Sequence, residues 1–235
     1  MGALFARRWV RRLVLGLVVL VVLVVAGPFV YIHFIEGKAP PRLTISTTTT
    51  TGPAGSGSGA EQSADGAWKV AAGSQAGYRV QEVLFGQDNT AVGRTGDITG
   101  TVTIAHSAVT AGSFTVNLST VTSDRSGRDS QFRGRIMNVA RYPTATFVLS
   151  QPIALPAGAD AGKAVSVQAT GQLTLHGTTR QVAVPLQARL SGGAVQVSGS
   201  IPIVFADWNI TNPSFGPITA QDHGTMEFLL DLARS

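Results

Sequence analysis

Between residues 165 and 205 nearly every second side chain is apolar, and a period of two confines that stretch to β-strands. Val165, Val167, Ala169, Leu173 and Leu175 alternate with Ser166, Gln168, Thr170, Gln172 and Thr174. After a turn at His176-Gly177-Thr178, Val182, Val184, Leu186, Ala188 and Leu190 alternate with Gln181, Ala183, Pro185, Gln187 and Arg189. Ser191-Gly192-Gly193 turns the chain again, into Val195, Val197, Gly199, Ile201, Ile203 and Phe205. Strands joined by turns this short are antiparallel neighbours with one dry and one wet face.

The same pattern extends over the rest of residues 68–235. Trp68-Lys69-Val70 opens a first strand, Tyr78 to Phe85 a second, Val102 and Ile104 a third, and Phe114, Val116 and Leu118 a fourth. The Gly, Asn and Asp cluster from Gly86 to Gly96 reads as a loop. From Asp124 to Tyr142 the apolar residues fall at Phe132, Ile136, Met137 and Val139, a helical spacing that predicts one short helical crossing over an end of the sheet. Strands resume at Thr144 to Ser150, a second irregular crossing runs from Asp207 to Ala220, and the last strand is Thr225 to Leu232. The fold class predicted is all-β: about eight antiparallel strands closing into an extended barrel, with a two-sheet sandwich as the other architecture. Closure suits a domain with no helical layer to cover its edges.

Ahead of the barrel stand three other segments. Residues 1–12 hold Arg7, Arg8, Arg11 and Arg12, which supply most of the net charge of +5. Residues 13–35 are apolar apart from Gly16, Gly27, Pro28 and His33, long enough for a single transmembrane helix. With the arginines on its N-terminal side, the positive-inside rule sends everything after Glu36 out of the cytoplasm. Val24-Val25-Ala26 offers a signal-peptidase site, but the apolar run from Phe29 to Ile35 outlasts a signal core, so an uncleaved anchor is expected. Residues 36–67 are rich in Thr, Gly, Ser and Pro and read as a flexible linker. From Trp68 onward twelve Lys and Arg face ten Asp and Glu, a balance that excludes a nucleic-acid-binding stripe.

No catalytic pattern emerges. There is no cysteine, no Gly-x-Ser-x-Gly elbow, no Walker loop and no His-Glu-x-x-His, and His106, His176 and His223 lie far apart, so neither an enzyme nor a metal or cofactor site is expected. One polar constellation stands out: Asp124, Arg125, Arg128 and Asp129, followed by Arg133, Arg135 and Arg141. Its structural reading is that paired carboxylates and guanidinium groups pin the crossing to the barrel. Its functional reading places Arg125, Arg128 and Asp129 at the barrel rim, meeting the polar head of an elongated ligand.

The interior is the remaining candidate site. Its inward set is Phe114, Val116, Leu118, Phe147, Leu173, Leu175, Val182, Val184, Leu186, Ile201, Ile203, Phe205 and Phe228, with many Val and few large aromatics. Eight-stranded barrels are just wide enough to be filled by side chains or to hold one small ligand. Periodicity alone is compatible with both.

Four strings resemble the YceI-like family of bacterial polyisoprenoid-binding proteins, in the family's order over about residues 68–232. They are Trp68 with Gly77-Tyr78-Arg79-Val80; Ser123 to Asp129; Tyr142-Pro143-Thr144-Ala145-Thr146-Phe147; and Gly171-Gln172-Leu173-Thr174-Leu175-His176-Gly177 continuing to Arg180. The resemblance implies a lipocalin-like barrel, exported and non-catalytic, whose lumen holds an isoprenoid chain in contact with the inward set. The expectation is therefore a cell-envelope, single-pass membrane protein binding a lipid such as a quinone or polyprenol. The alternative is a non-catalytic envelope stress or structural protein that binds another protein through its rim loops.

Overall fold

A computed structural model of the protein describes residues 2–30, 39–45, 63–84, 86–157, 159, 162–216 and 218–235. Its centre is the predicted triplet: β9 (Val165–Leu175), β10 (Thr178–Ser191) and β11 (Ala194–Val204). β9 and β10 pair without interruption from Leu175↔Thr178 to Val165↔Ala188, and β11 continues on β10 from Ser191↔Ala194. Both turns need left-handed backbone at two residues, supplied by His176 (φ 49°) with Gly177 (φ 76°) and by Gly192 (φ 61°) with Gly193 (φ 77°). That geometry matches the twist of the flanking strands, which is why hairpins this tight hold their register.

The remaining strands close the ring. β13 (His223–Arg234) pairs with β11 on one side and on the other with β1 (Gly66–Val70) and β2 (Gln75–Leu84) in succession. β1 and β2 are one stave interrupted at 71–74, where Ser74 Oγ donates to the Ala71 carbonyl at 2.8 Å and accepts from the Asp231 N–H at 2.9 Å. In the same way β3 (Gln87–Thr95) continues into β4 (Ile98–Ala105), and β5 (Ala108–Asn117) into β6 (Thr122–Ser123) through a 3₁₀ turn at Leu118–Thr120. β7 (Thr144–Leu149) completes a closed antiparallel barrel of eight staves. The short β8 (Ile153–Ala154) pairs with β5, and β12 (Ile218–Ala220), inside the crossing expected to be irregular, pairs with β2.

The loop expected from Gly86 to Gly96 is instead strand β3, in continuous register with β2 from Leu84↔Gln87 to Ala76↔Thr95. At its inward Gly93 a large neighbour occupies the space. A Cβ on Gly93 would lie 2.4 Å from the Tyr78 ring. The predicted crossing forms as α2 (Ser126–Gln131) followed by a wide π turn, Phe132–Ile136. Phe132, Met137 and Val139 turn inward from it and join the core.

Two apolar clusters line the barrel interior. One, toward α2, gathers Leu173, Val184, Ile201, Phe205 and Trp208; the other, at the opposite end, surrounds Trp68 and Leu232. Trp68 is fully buried, donates Nε1–H to the Ala64 carbonyl at 2.9 Å, and carries the Arg234 guanidinium 4.8 Å above its ring.

Before the barrel, α1 (Gly2–Val30) is a 29-residue helix covering most of the apolar run, whose residues 31–35 lie outside the described ones. Among the described residues no helix is long and apolar enough to cross a membrane. Residues 39–45, within the stretch read as linker, run against the barrel wall, whereas the Thr47–Thr51 run and the Gly55–Gly59 repeat lie outside the described residues.

Candidate functional site

The inward faces of the staves enclose two adjoining cavities. The first, about 170 Å³, occupies the Trp68 end of the lumen and reaches Ala64, Ile104 and Leu232. Its lining is aliphatic and aromatic except for Thr146, Arg189 and Glu227. The second, about 250 Å³, lies under α2 and is apolar in its depth, with Leu118, Phe132, Met137 and Ile203. Its mouth carries Tyr78, Glu82, Arg125, Arg128, Gln131 and Arg135. Ala76, Val116 and Met226 line both cavities, so the two meet at mid-barrel.

The predicted interior residues divide between them. Phe114 and Val116 of β5, Phe147 of β7 and Leu173 of β9 line the first, as do Val184 and Leu186 of β10, Ile201 of β11 and Phe228 of β13. Leu118, Leu175, Ile203 and Phe205 line the second. Val182 lines neither and packs against the core instead.

At the mouth, α2 is fastened by charge. Arg128 Nη2 lies 3.1 Å from Glu82 Oε1 on β2, which also accepts from Asn89 Nδ2 at 2.7 Å, and the other arm of Arg128 reaches Asp124. Arg125 Nε stands 3.9 Å from Asp124 Oδ2. Both arginines line the second cavity. Asp129 does not: it is buried, and its Oδ1 accepts from the Ser123 N–H at 2.8 Å and the Ser123 hydroxyl at 2.6 Å, tying α2 to β6.

Tyr78 and Phe132 stack at 5.0 Å between centroids and form the wall beneath this mouth. Burial pushes the Tyr78 phenol far above its ordinary range; Arg128 opposes the shift, and Asp129, Glu82 and Asp124 add to it. Tyr78 is therefore a neutral group facing a charged rim. Tyr78 and Phe132 carried an apolar period in the sequence, yet their stacking depends on how α2 folds back over β2. Phe215 was not foreseen at all; it stands at the mouth 63% exposed, with the Arg135 guanidinium 5.8 Å from its ring centroid. Among the described residues no group of three or more His, Asp or Glu is placed to hold a metal ion.

This geometry accommodates an amphiphile: a long apolar channel with polar and charged groups at one end. Residues 68–232 match the model of the YceI-like domain. The chain belongs to the YceI-like domain family. Among solved structures it is similar to a polyisoprenoid binding domain from Saccharophagus degradans implicated in plant cell wall breakdown, with a TM-score of 0.56 and 17% identity over 72% of this chain and 98% of that one. It is also similar to BcnA of Burkholderia cenocepacia, with a TM-score of 0.50 and 23% identity over 66% of this chain and 95% of that one. These likenesses establish the shared barrel. No curated protein matches the chain.

Proposed function

We propose that this YceI-like protein is a membrane-anchored, extracytoplasmic carrier that holds an isoprenoid-type lipid, a quinone or a polyprenol, along the barrel lumen. The observation that carries the reading is the pair of adjoining cavities, apolar at one end and rimmed by Arg125 and Arg128 at the other. A lipid tail in that channel gains about 25 cal/mol for each Å² removed from water, and the wall gains dispersion contacts it otherwise lacks. In this reading the polar head rests at the mouth, beside Arg125, Arg128 and neutral Tyr78.

Support for the anchor comes from the sequence: residues 13–35 are apolar apart from Gly16, Gly27, Pro28 and His33, which meets the roughly 20 residues that a hydrocarbon core requires. By the positive-inside rule, Arg7, Arg8, Arg11 and Arg12 ahead of that run favour a barrel outside the cytoplasm.

The experiment is to purify the full chain from membranes in detergent, extract it with organic solvent and identify bound lipid by mass spectrometry. One isoprenoid lipid per chain is expected, and a quinone differs from a polyprenol by its reducible ultraviolet chromophore. Leu173→Arg and Val184→Glu should abolish loading while Gln172→Lys, on the exposed face, keeps it. Equal retention in all three would contradict the channel assignment. A second reading, a rim that binds another protein, is favoured by the exposure of Phe215. In-cell cross-linking from position 215 to a protein, lost in Phe215→Ser while lipid content is unchanged, would select it.

A further inference from the structure

The outer wall of the barrel carries a buried ion cluster that the lumen does not use. Strand alternation puts the side chains of Arg79 of β2, Arg94 of β3 and Glu227 of β13 on the outer face, where charged side chains are ordinarily solvated, although Glu227 also borders the first cavity. Glu227 is nonetheless only 2% exposed and Arg79 8%. Arg79 Nε and Nη2 donate to the two Glu227 oxygens at 3.2 Å each, and Arg94 Nη2 donates to Glu227 Oε1 at 2.9 Å. The register makes this possible: Gly77 lies between Glu227 and Arg94 in the sheet, and a Cβ there would meet Arg94 Cγ at 2.9 Å and the Gly93 carbonyl oxygen at 2.0 Å. With no side chain at 77, Arg94 crosses β2 to reach its carboxylate.

Two guanidinium groups on one carboxylate leave donors over, and these face residues 39–45. Arg79 Nη2 donates to the Pro40 carbonyl at 2.8 Å, Arg94 Nη2 donates to the Pro41 carbonyl, and Ile45 is buried a few residues on. A Pro-Pro pair suits the role. It offers carbonyl acceptors, has no N–H to satisfy, and holds an extended shape at low entropic cost.

We infer that Arg79, Glu227 and Arg94 form a clamp for the Pro40-Pro41 backbone, so that residues 31–38, rather than the whole Thr/Gly/Ser-rich stretch, set how far the barrel stands from α1. At roughly 3.4 Å per residue, eight residues such as 31–38 span at most about 30 Å. A chain free as far as residue 62 would allow about 110 Å. The clamp stands independently of the anchor; its consequence, a barrel kept within one molecular diameter of the bilayer from which it takes lipid, rests on the anchor proposed above.

Because the chain has no cysteine, spin labels can be placed at will. The full chain bearing Thr44→Cys and Gln81→Cys, both exposed positions, is reconstituted in phosphatidylglycerol–phosphatidylethanolamine vesicles and the label-to-label distance measured by pulsed electron resonance. A single narrow distance is expected. It should broaden in Arg94→Ala and also in Pro40→Gly/Pro41→Gly, which leaves every barrel residue intact and so guards against misfolding. Trypsin should cut after Arg42 at least about tenfold faster in both variants, as local release of a held segment requires. A broad distribution in the parent chain, or one unchanged by Pro40→Gly/Pro41→Gly with equal cleavage, overturns the clamp. Carbonate extraction of the same membranes tests the anchor separately. Release of a chain whose distance stays narrow rejects the anchor and upholds the clamp, whereas a membrane-retained chain with a broad distance does the reverse.

Discussion

Replacing Ala169 with leucine tests whether the lumen is vacant, because an empty channel and a filled core predict opposite signs. Ala169 is 3% exposed, points inward from β9 opposite Val184, and lines the cavity of about 170 Å³. Leucine adds three carbons; at about 0.8 kcal/mol per buried methylene that is roughly 2.4 kcal/mol of transfer free energy. Fixing the leucine rotamer takes back about 0.5–1 kcal/mol, leaving a net stabilisation of about 1.5 kcal/mol for the lipid-free protein. In a core already packed to native density the same change forces rotamers and backbone apart and costs about 1–3 kcal/mol. Urea unfolding of delipidated protein separates the two. With a slope of about 1–3 kcal/mol per molar, the midpoint should rise by roughly 0.5–1.5 M. The added side chain also narrows the channel, so lipid recovered from Ala169→Leu should fall well below the parent amount. A midpoint that drops by a similar margin while lipid content holds would refute the vacancy argument.

Three further outcomes follow from the walls and the mouth. Arg128→Ala leaves Glu82 charged in a site where its side chain is only 9% exposed, and should cost about 3 kcal/mol in urea unfolding; Arg128→Ala/Glu82→Gln should recover at least about 1 kcal/mol of that, and an additive double mutant would mean the pair is not coupled. Burial raises the Tyr78 phenol, so the folded state holds that proton after the unfolded chain has lost it. Its contribution is therefore full below about pH 10 and falls as pH rises above it. The 295 nm difference between parent and Tyr78→Phe should stay flat until unfolding, and a phenolate step in the folded protein would contradict this. Gly171→Ala should destabilise by more than about 2 kcal/mol, since its Cβ would lie 2.3 Å from Phe147 Cζ and 2.6 Å from the Val148 carbonyl oxygen; near-neutral unfolding would show that β7 and β9 can separate freely.

What could be read from the sequence is what solvent writes into it. β9, β10 and β11 each have one wet face, so the alternation of Val, Leu and Ile with Gln, Ser and Thr marks both the strands and their register. β3 escaped for the converse reason: Gly93 is small because the Tyr78 ring fills the space in front of it, and a strand built to leave room for its neighbour has the composition of a loop. The arginines near α2 were legible as a cluster because they are contiguous, but which carboxylate each meets was not. Arg128 finds Glu82, 46 residues earlier, and Asp129 spends its acceptors on Ser123. The outer-wall cluster was hidden more deeply. Arg79 and Glu227, 148 residues apart, sit at outward positions where alternation predicts ordinary solvated charge. Only the register that sets Gly77 between Glu227 and Arg94, and the return of a proline segment across them, makes these charges buried. Vacancy in the lumen is subtler still, since a filled and an empty barrel share one pattern of inward residues. The difference lies in how large Ala145, Ala169 and Gly112 are relative to the ring they line, a volume that exists only once the eight staves have closed.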